Sequence, residues 1–267
     1  MRPDEYCERY GPVALVTGAS SGIGQGFAEE LAARGFDLIV TARRTDRLEA
    51  LAARLAEEHG TKTQIVTADL ADPAGPGDVI SACAGQDIGL VVSNAGFNMK
   101  GAFEAGSASR MEKMLAVNCN APMQLAHGLI PALKARAGAG RGAGLIVVSS
   151  VEGLIGCPYS TAYAATKALV KSLCEGLWAE LRPRGVEVLA CCPGATDTEA
   201  MDSPNIPDSV RERLQPAREC AALTLDNIAE GPTYIPNQYY REMFEHLTAQ
   251  PRRETLLGME QTMRAMA

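Results

Sequence analysis

Residues 14–35 read ALVTGASSGIGQGFAEELAARG, and the order of residue types in this stretch decides the fold class. A short apolar strand, Val13 to Thr17, runs into a glycine-bearing turn, and an amphipathic segment of helical period follows. Glycines at 18, 22 and 24 let the turn close tightly, let backbone N–H groups approach a pyrophosphate and let the helix pack on the strand. A phosphate in that turn sits at the positive N-terminal end of the helix. The spacing is GxxxGxG, so the commoner GxGxxG pattern is not matched, and three glycines also occur in a plain tight connection. Placement after the first strand and before a clean amphipathic helix favours the phosphate site.

The same rhythm continues outward. Strand-like runs are expected at Val13–Thr17, Phe36–Thr41, Thr63–Thr67, Ile88–Val92, Gly144–Ser149 and Val186–Cys191, with a weaker one at Thr233–Ile235. Helical periods occupy Gly22–Arg34, Asp46–His59, Arg110–Arg136, Ser160–Arg182 and Pro216–Ala229, and two amphipathic tail helices are expected over 238–249 and 253–266. Alternating strands and helices predict an α/β fold, a doubly wound, Rossmann-like parallel sheet of about seven strands covered on both faces, with a helical tail. Near-continuous apolar strands such as GLIVVSS suit the interior of such a sheet. No repeat and no low-complexity linker divides the chain, so a single domain over 1–267 is expected, with the motif-bearing core at 12–236. Two segments break the rhythm: Ala137 to Gly144 reads as a flexible surface loop, and Thr198 to Pro216 as a proline-bearing flap.

Composition narrows the function. The 267 residues carry a formal charge of −7, with 46% hydrophobic and 21% charged residues. Such a chain buries a large core without staples, and its acidity argues against nucleic acid as a partner. The eight cysteines lack CxxC spacing and the three histidines stand apart, so no metal site is expected. A polar N-terminus and the lack of any run of about 18 apolar residues point to a cytoplasmic protein with no membrane span.

Several further stretches carry chemistry. The second strand ends IVTARRTDR, with Ala42 where an NAD-binding fold places an acid for the ribose, and Arg43 and Arg44 after it. Guanidinium groups suit a 2′-phosphate and favour NADP(H) over NAD, the alternative being a pair simply solvated at the strand end. Asp69 in ADL either accepts from an adenine amino group or caps the next turn. SNAG at 93–96 ends the fourth strand at the ligand-binding edge of the sheet, and Asn94 either meets the ligand or bonds to neighbouring backbone. YAATK places Tyr163 and Lys167 one helical turn apart on one face, as a surface contact or as a tuned acid.

With TGASSGIG, ADL, SNAG, the serines 149 and 150, YAATK and PGATDT in this order, the chain resembles the short-chain dehydrogenase/reductase family, in its single-domain branch. The motifs run from residue 13 to about 198, and the tail after 236 carries none. The resemblance implies a catalytic group of Tyr163, Lys167, Ser150 (thirteen positions before the tyrosine) and Asn118 in LAVN. It also implies cofactor contacts from Gly18, Ser20, Ser21, Gly22, Ile23, Gly24, Arg43, Arg44, Asp69, Leu70, Asn94, Ala95, Gly96, Pro193, Gly194, Thr196 and Thr198, besides Tyr163 and Lys167. Ser93 departs from the usual NNAG. A homodimer or homotetramer built on the helices over 110–136 and 160–182 is implied as well.

Simple electrostatics supports those roles. A cation about 5 Å from a phenol, at an effective dielectric near 20, favours the phenolate by about 3 kcal/mol and brings the hydroxyl towards working pH. Ser150 is expected to bind the substrate oxygen, and Asn118 to hold a relay water or to serve as a structural asparagine at a helix kink. The expected activity is NADP(H)-dependent interconversion of a carbonyl and an alcohol, that of a carbonyl reductase or alcohol dehydrogenase. Expected pocket residues are Phe97, Asn98, Met99, Glu152, Ile155, Cys157, Tyr159 and 195–201, a mostly apolar set that favours a bulky ketone of aryl or steroid type. Glu152 either lines the pocket or faces solvent. Two rivals are a 3-ketoacyl reductase for carrier- or CoA-linked chains and a non-catalytic NADP-binding sensor.

Overall fold

A computed structural model describes residues 3–202, 206 and 208–264 of the chain; the middle of the expected flap (203–205 and 207) and the end of the expected last helix (265–266) lie outside the described residues. Seven parallel strands form one sheet in the order β3-β2-β1-β4-β5-β6-β9. They are β1 (Val13–Thr17), β2 (Asp37–Ala42), β3 (Thr63–Thr67), β4 (Ile88–Ser93), β5 (Ala143–Val148), β6 (Val186–Cys191) and β9 (Thr233–Tyr234). A short separate ladder pairs β7 (Thr196–Asp197) with β8 (Gln215–Pro216), so the two ends of the expected flap are tied together. The strand order reverses between β1 and β4, which register Ala14 against Leu90 and Val16 against Val92.

Two apolar layers cover the sheet. Helices α2 (Gly22–Ala33), α3 (Thr45–His59) and α9 (Ala217–Asp226) pack Phe27, Leu31, Leu48, Leu55 and Leu225 on one face. Helices α4 (Gly75–Ala82), α6 (Ala121–Gly138) and α7 (Thr161–Leu181) pack Val79, Leu125, Leu129 and Val170 on the other. Period-two alternation feeds both layers: Ala14 and Val16 of β1 belong to the first, Leu15 to the second. The tail helices α10 (Gln238–Ala249) and α11 (Arg252–Arg264) bring Phe244 against Val151 and Ile155, in a third small cluster beside the site. α8 (Asp208–Arg211) is a single turn.

Three elements differ from the sequence reading. The helix expected over 110–136 is α5 (Ala108–Leu115), one π-helical turn (Ala116–Asn120) and α6. A π turn inserts an extra residue and re-aims its side chains, and no hydrophobic period reveals it. Helix α4 went unseen because GPGDVISA opens on Gly and Pro, which read as a turn, although proline is at home in a first helical turn. The third is α1 (Pro3–Tyr10), polar in sequence yet held by two aromatic residues: Tyr6 and Tyr10 are fully buried, their rings 4.9 Å apart, with Phe36 6.1 Å from Tyr6. The glycine-rich loop after α6 is shorter than expected, and Arg136 anchors it by donating to Gly142 O at 2.8 Å while pairing with Asp87.

Tyr6 gives a clean test of what α1 contributes. Its ring is buried but its hydroxyl has no hydrogen-bond partner among the described residues. Tyr6→Ala should lower the unfolding free energy by about 3 kcal/mol in a urea titration. Tyr6→Phe should leave it unchanged or raise it slightly, since only an unsatisfied polar atom is lost.

Candidate active site

The site grows from the carboxyl ends of β1, β2, β4 and β5, where the reversal of strand order opens a cleft of about 800 Å³. At one end lies the turn after β1. Gly18 and Gly22 hold φ of 69° and 57°, in the left-handed region that disfavours other residues. A Cβ on Gly24 would overlap the Gly18 carbonyl oxygen and the Asn94 side-chain amide, so only glycine lets the helix approach the turn. Helix α2 starts without a side-chain cap, which leaves the N–H groups of its first turn for a ligand in the cleft.

The basic end of the cleft follows β2. Arg44 donates through Nη2 to Ser21 Oγ at 2.6 Å and to Ser20 Oγ at 3.2 Å, and through Nη1 to Glu199 at 3.0 Å. Arg43 lies exposed on the cleft wall and makes no ion pair among the described residues. Glu199, expected in the substrate pocket, pairs instead with Arg44 and Arg47. The wall is completed by Asp69, Leu70, Asn94, Ala95, Gly96, Pro193, Gly194, Thr196 and Thr198. The Asn94 amide is engaged locally: Nδ2 donates to Thr17 O at 3.0 Å, fastening β4 to β1 beneath the turn. Asp69 accepts from Ala71 N at 3.0 Å, a turn contact.

At the other end Ser150, Tyr163 and Lys167 converge on the wall, the first after β5 and the others on α7. Geometry separates the two serines. Ser149 donates its hydroxyl to Lys167 O at 2.7 Å, whereas Ser150 Oγ accepts from Glu152 N at 3.2 Å and is near enough to the Tyr163 hydroxyl to lower its pKa. Lys167 Nζ lies 5.6 Å from the centre of the Tyr163 ring and donates to Val148 O at 2.8 Å. The lowered phenol expected from such a pair does not appear. Burial, which brings the two groups together, raises the Tyr163 pKa above its ordinary value; the Glu152 carboxylate adds to that and the Ser150 bond opposes it. Burial also pushes the Lys167 ammonium down, to about 8. Desolvation, which penalises the charged form of each group, is the largest cause of both shifts.

Asn118 sits in the π turn, buried, with its amide bonded to the next loop. Oδ1 accepts from Phe97 N at 3.1 Å, while Nδ2 donates to Phe97 O at 2.9 Å and Thr166 Oγ1 at 3.1 Å. Only one Oδ1 lone pair is left for the expected water. The side chain clamps the SNAG loop to α7. Of the expected pocket residues, Phe97, Asn98, Ala200 and Met201 line the cleft. Ile155 packs in the tail cluster, Tyr159 (φ 57°) donates to Glu260 at 3.1 Å, and Cys157 is buried near Glu152. Glu152 accepts from Ser160 and lies 3.5 Å from Lys100 Nζ. Sequence reasoning missed Arg110, Lys113 and Val117 on the same wall. Their i, i+3, i+7 spacing is one helix face leading to Asn118, and was the signal available.

The clamp predicts a measurable loss. Asn118→Ala leaves the Phe97 N–H and C=O unpaired and should cost about 2 kcal/mol, with faster hydrogen exchange at the Phe97 amide.

Comparison with known proteins fits this geometry. The short chain dehydrogenase profile matches residues 12–207. The 7beta-hydroxysteroid dehydrogenase of Clostridium sardiniense is 29% identical over 253 residues, spanning 94% of this chain and 95% of that protein. A short-chain dehydrogenase from Sphingobium yanoikuyae, solved with NADPH, superposes with a TM-score of 0.79 at 33% identity, covering 93% of this chain and 95% of the other. The bulky-bulky ketone specific alcohol dehydrogenase from Comamonas testosteroni superposes with a TM-score of 0.74 at 32% identity, covering 93% and 94%. A glycine turn, a cleft at the strand-order reversal and a serine–tyrosine–lysine cluster thus occur in a chain that belongs to the short-chain dehydrogenase family.

Proposed function

We propose that the protein is an NADP(H)-dependent oxidoreductase that interconverts a bulky, hydrophobic ketone and its alcohol. The observation that carries this reading is the meeting of Ser150, Tyr163 and Lys167 on the wall of the cleft that begins at the glycine turn. The residues present fit the cofactor. The α2 N–H groups without a side-chain cap suit a pyrophosphate, Arg43 and Arg44 stand where the second strand would present a ribose, and the buried Thr41 hydroxyl on the same wall has no partner among the described residues. Bound NADPH supplies the hydride.

The chain's residues then do the rest. Ser150 donates to the substrate oxygen and fixes it beside the phenol. Tyr163, kept protonated by burial, gives its proton to that oxygen as negative charge develops. Lys167 steadies the phenolate that remains, its position set by Val148 O. Asn118 holds the loop opposite in place.

A bulky ketone is supported by the apolar members of the wall, Phe97, Ala200 and Met201, and by the likeness to enzymes named for hydroxysteroids and bulky ketones. A second reading, reduction of a CoA- or carrier-linked 3-ketoacyl chain, draws on Arg110 and Lys113, which bring cations to the cleft wall despite the acidic composition. A homodimer or homotetramer is supported by the largely apolar groove of Met123, Ile130, Leu173 and Leu177 between α6 and α7, and by the exposed Leu115 of α5 and Leu169 of α7. All eight cysteines are free, which suits a reducing cytoplasm, and no helix among the described residues is long and apolar enough to cross a membrane.

The test is NADPH oxidation over ketones graded by size, with one CoA thioester included. Turnover of large apolar ketones is expected; turnover of the thioester alone would favour the second reading. Tyr163→Phe should reduce turnover roughly 10²- to 10⁴-fold while NADPH still quenches fluorescence. A fully active variant would remove Tyr163 from the chemistry. The Lys167 ammonium is present below a pKa of about 8 and lost above it. Since that cation stabilises the phenolate, kcat/KM for reduction should fall as pH rises through about 8. A profile flat to about pH 10 would take its charge out of the mechanism.

A further inference from the structure

The basic end of the cleft contains an acid. Glu199 reaches across from the segment after β7 and pairs with both Arg44 and Arg47. Its carboxylate meets Arg44 Nη1 through both oxygens, at 3.0 and 3.3 Å. The other donors of Arg44 are also engaged, Nε with Ser20 at 3.3 Å and Nη2 with Ser20 and Ser21. A guanidinium has five N–H donors and no acceptor. With these taken up, Arg44 meets a new anion by giving up an existing partner, and the only one of those partners that is itself anionic is Glu199. Ser20, Ser21, Arg43, Arg44, Thr198 and Glu199 all line the same cleft, so carboxylate and incoming ligand share one space.

Resting on the NADP(H) reading above, we propose that Glu199 is a built-in competitor for the 2′-phosphate of the cofactor. It occupies Arg44 and Arg47 in the free chain and is displaced when the phosphate enters. The arrangement keeps three neighbouring arginines from repelling one another in the free protein. It also lowers affinity for the phosphorylated cofactor more than for the unphosphorylated one, because only the former carries a dianion into this corner. Glu199 therefore sets how sharply the protein separates NADP(H) from NAD(H), acting through the arginines and touching no reacting atom. The pairs are half exposed, so each is modest and screened by salt.

The experiment titrates 2′,5′-ADP and 5′-ADP into the full chain and into Glu199→Gln by calorimetry, at low and high salt. Glu199 lies on the surface, and an unchanged unfolding midpoint would report an intact fold. The expected result is roughly three- to tenfold tighter binding of 2′,5′-ADP in the variant, unchanged 5′-ADP binding, and a gain that shrinks at high salt. Equal or weaker binding of 2′,5′-ADP in the variant would overturn the proposal, weaker binding meaning that Glu199 pre-orders the arginines. If neither the unaltered protein nor the variant bound 2′,5′-ADP more tightly than 5′-ADP, the NADP(H) reading itself would fall and the proposal with it.

Discussion

A parallel sheet whose strand order reverses between β1 and β4 cannot be covered at that point, because its crossover helices leave in opposite directions. Everything at the site depends on that crevice. The glycine turn after β1 opens into it, Asn94 at the end of β4 fastens its floor to Thr17, and the residues after β5 reach it from the side. The two apolar layers hold the sheet rigid beneath, so the site rests on strand ends and not on free loops.

The second determinant is burial at the other end. Ser149, Ser150 and Lys167 are buried between the sheet and α7, and Tyr163 is partly buried beside them, so ionic forms are penalised. Burial thus favours the protonated phenol and the neutral amine. A point-charge estimate with a surface-like dielectric counts the attraction of the lysine and leaves out the desolvation that raises the Tyr163 pKa here. Glu152, held by Ser160 and Lys100, belongs to the same balance, since its charge reinforces the protonated phenol.

Much of this was legible from residue types. The glycine turn, the six main strands and the YAATK pair announce themselves through local pattern, since strand alternation, glycine placement and helical spacing are short-range properties. The unseen pieces depend on distant partners. Helix α1 exists because Tyr6 and Tyr10 find Phe36 and Glu187, far away in the sequence. The π turn that aims Asn118 inward serves Phe97 and Thr166 on two other elements.

The sequence by itself determined the parallel α/β architecture, the phosphate-ready turn, and which residue types can donate a proton or meet a phosphate. Each of those follows from neighbours within a few positions. Only the tertiary structure decided where the Ser149 hydroxyl goes, which way the tyrosine and lysine shift, and that Glu199 pairs with Arg44 and Arg47. Hydrogen-bond direction, desolvation and ion pairing across some 150 residues of chain depend on where the folded elements place their side chains.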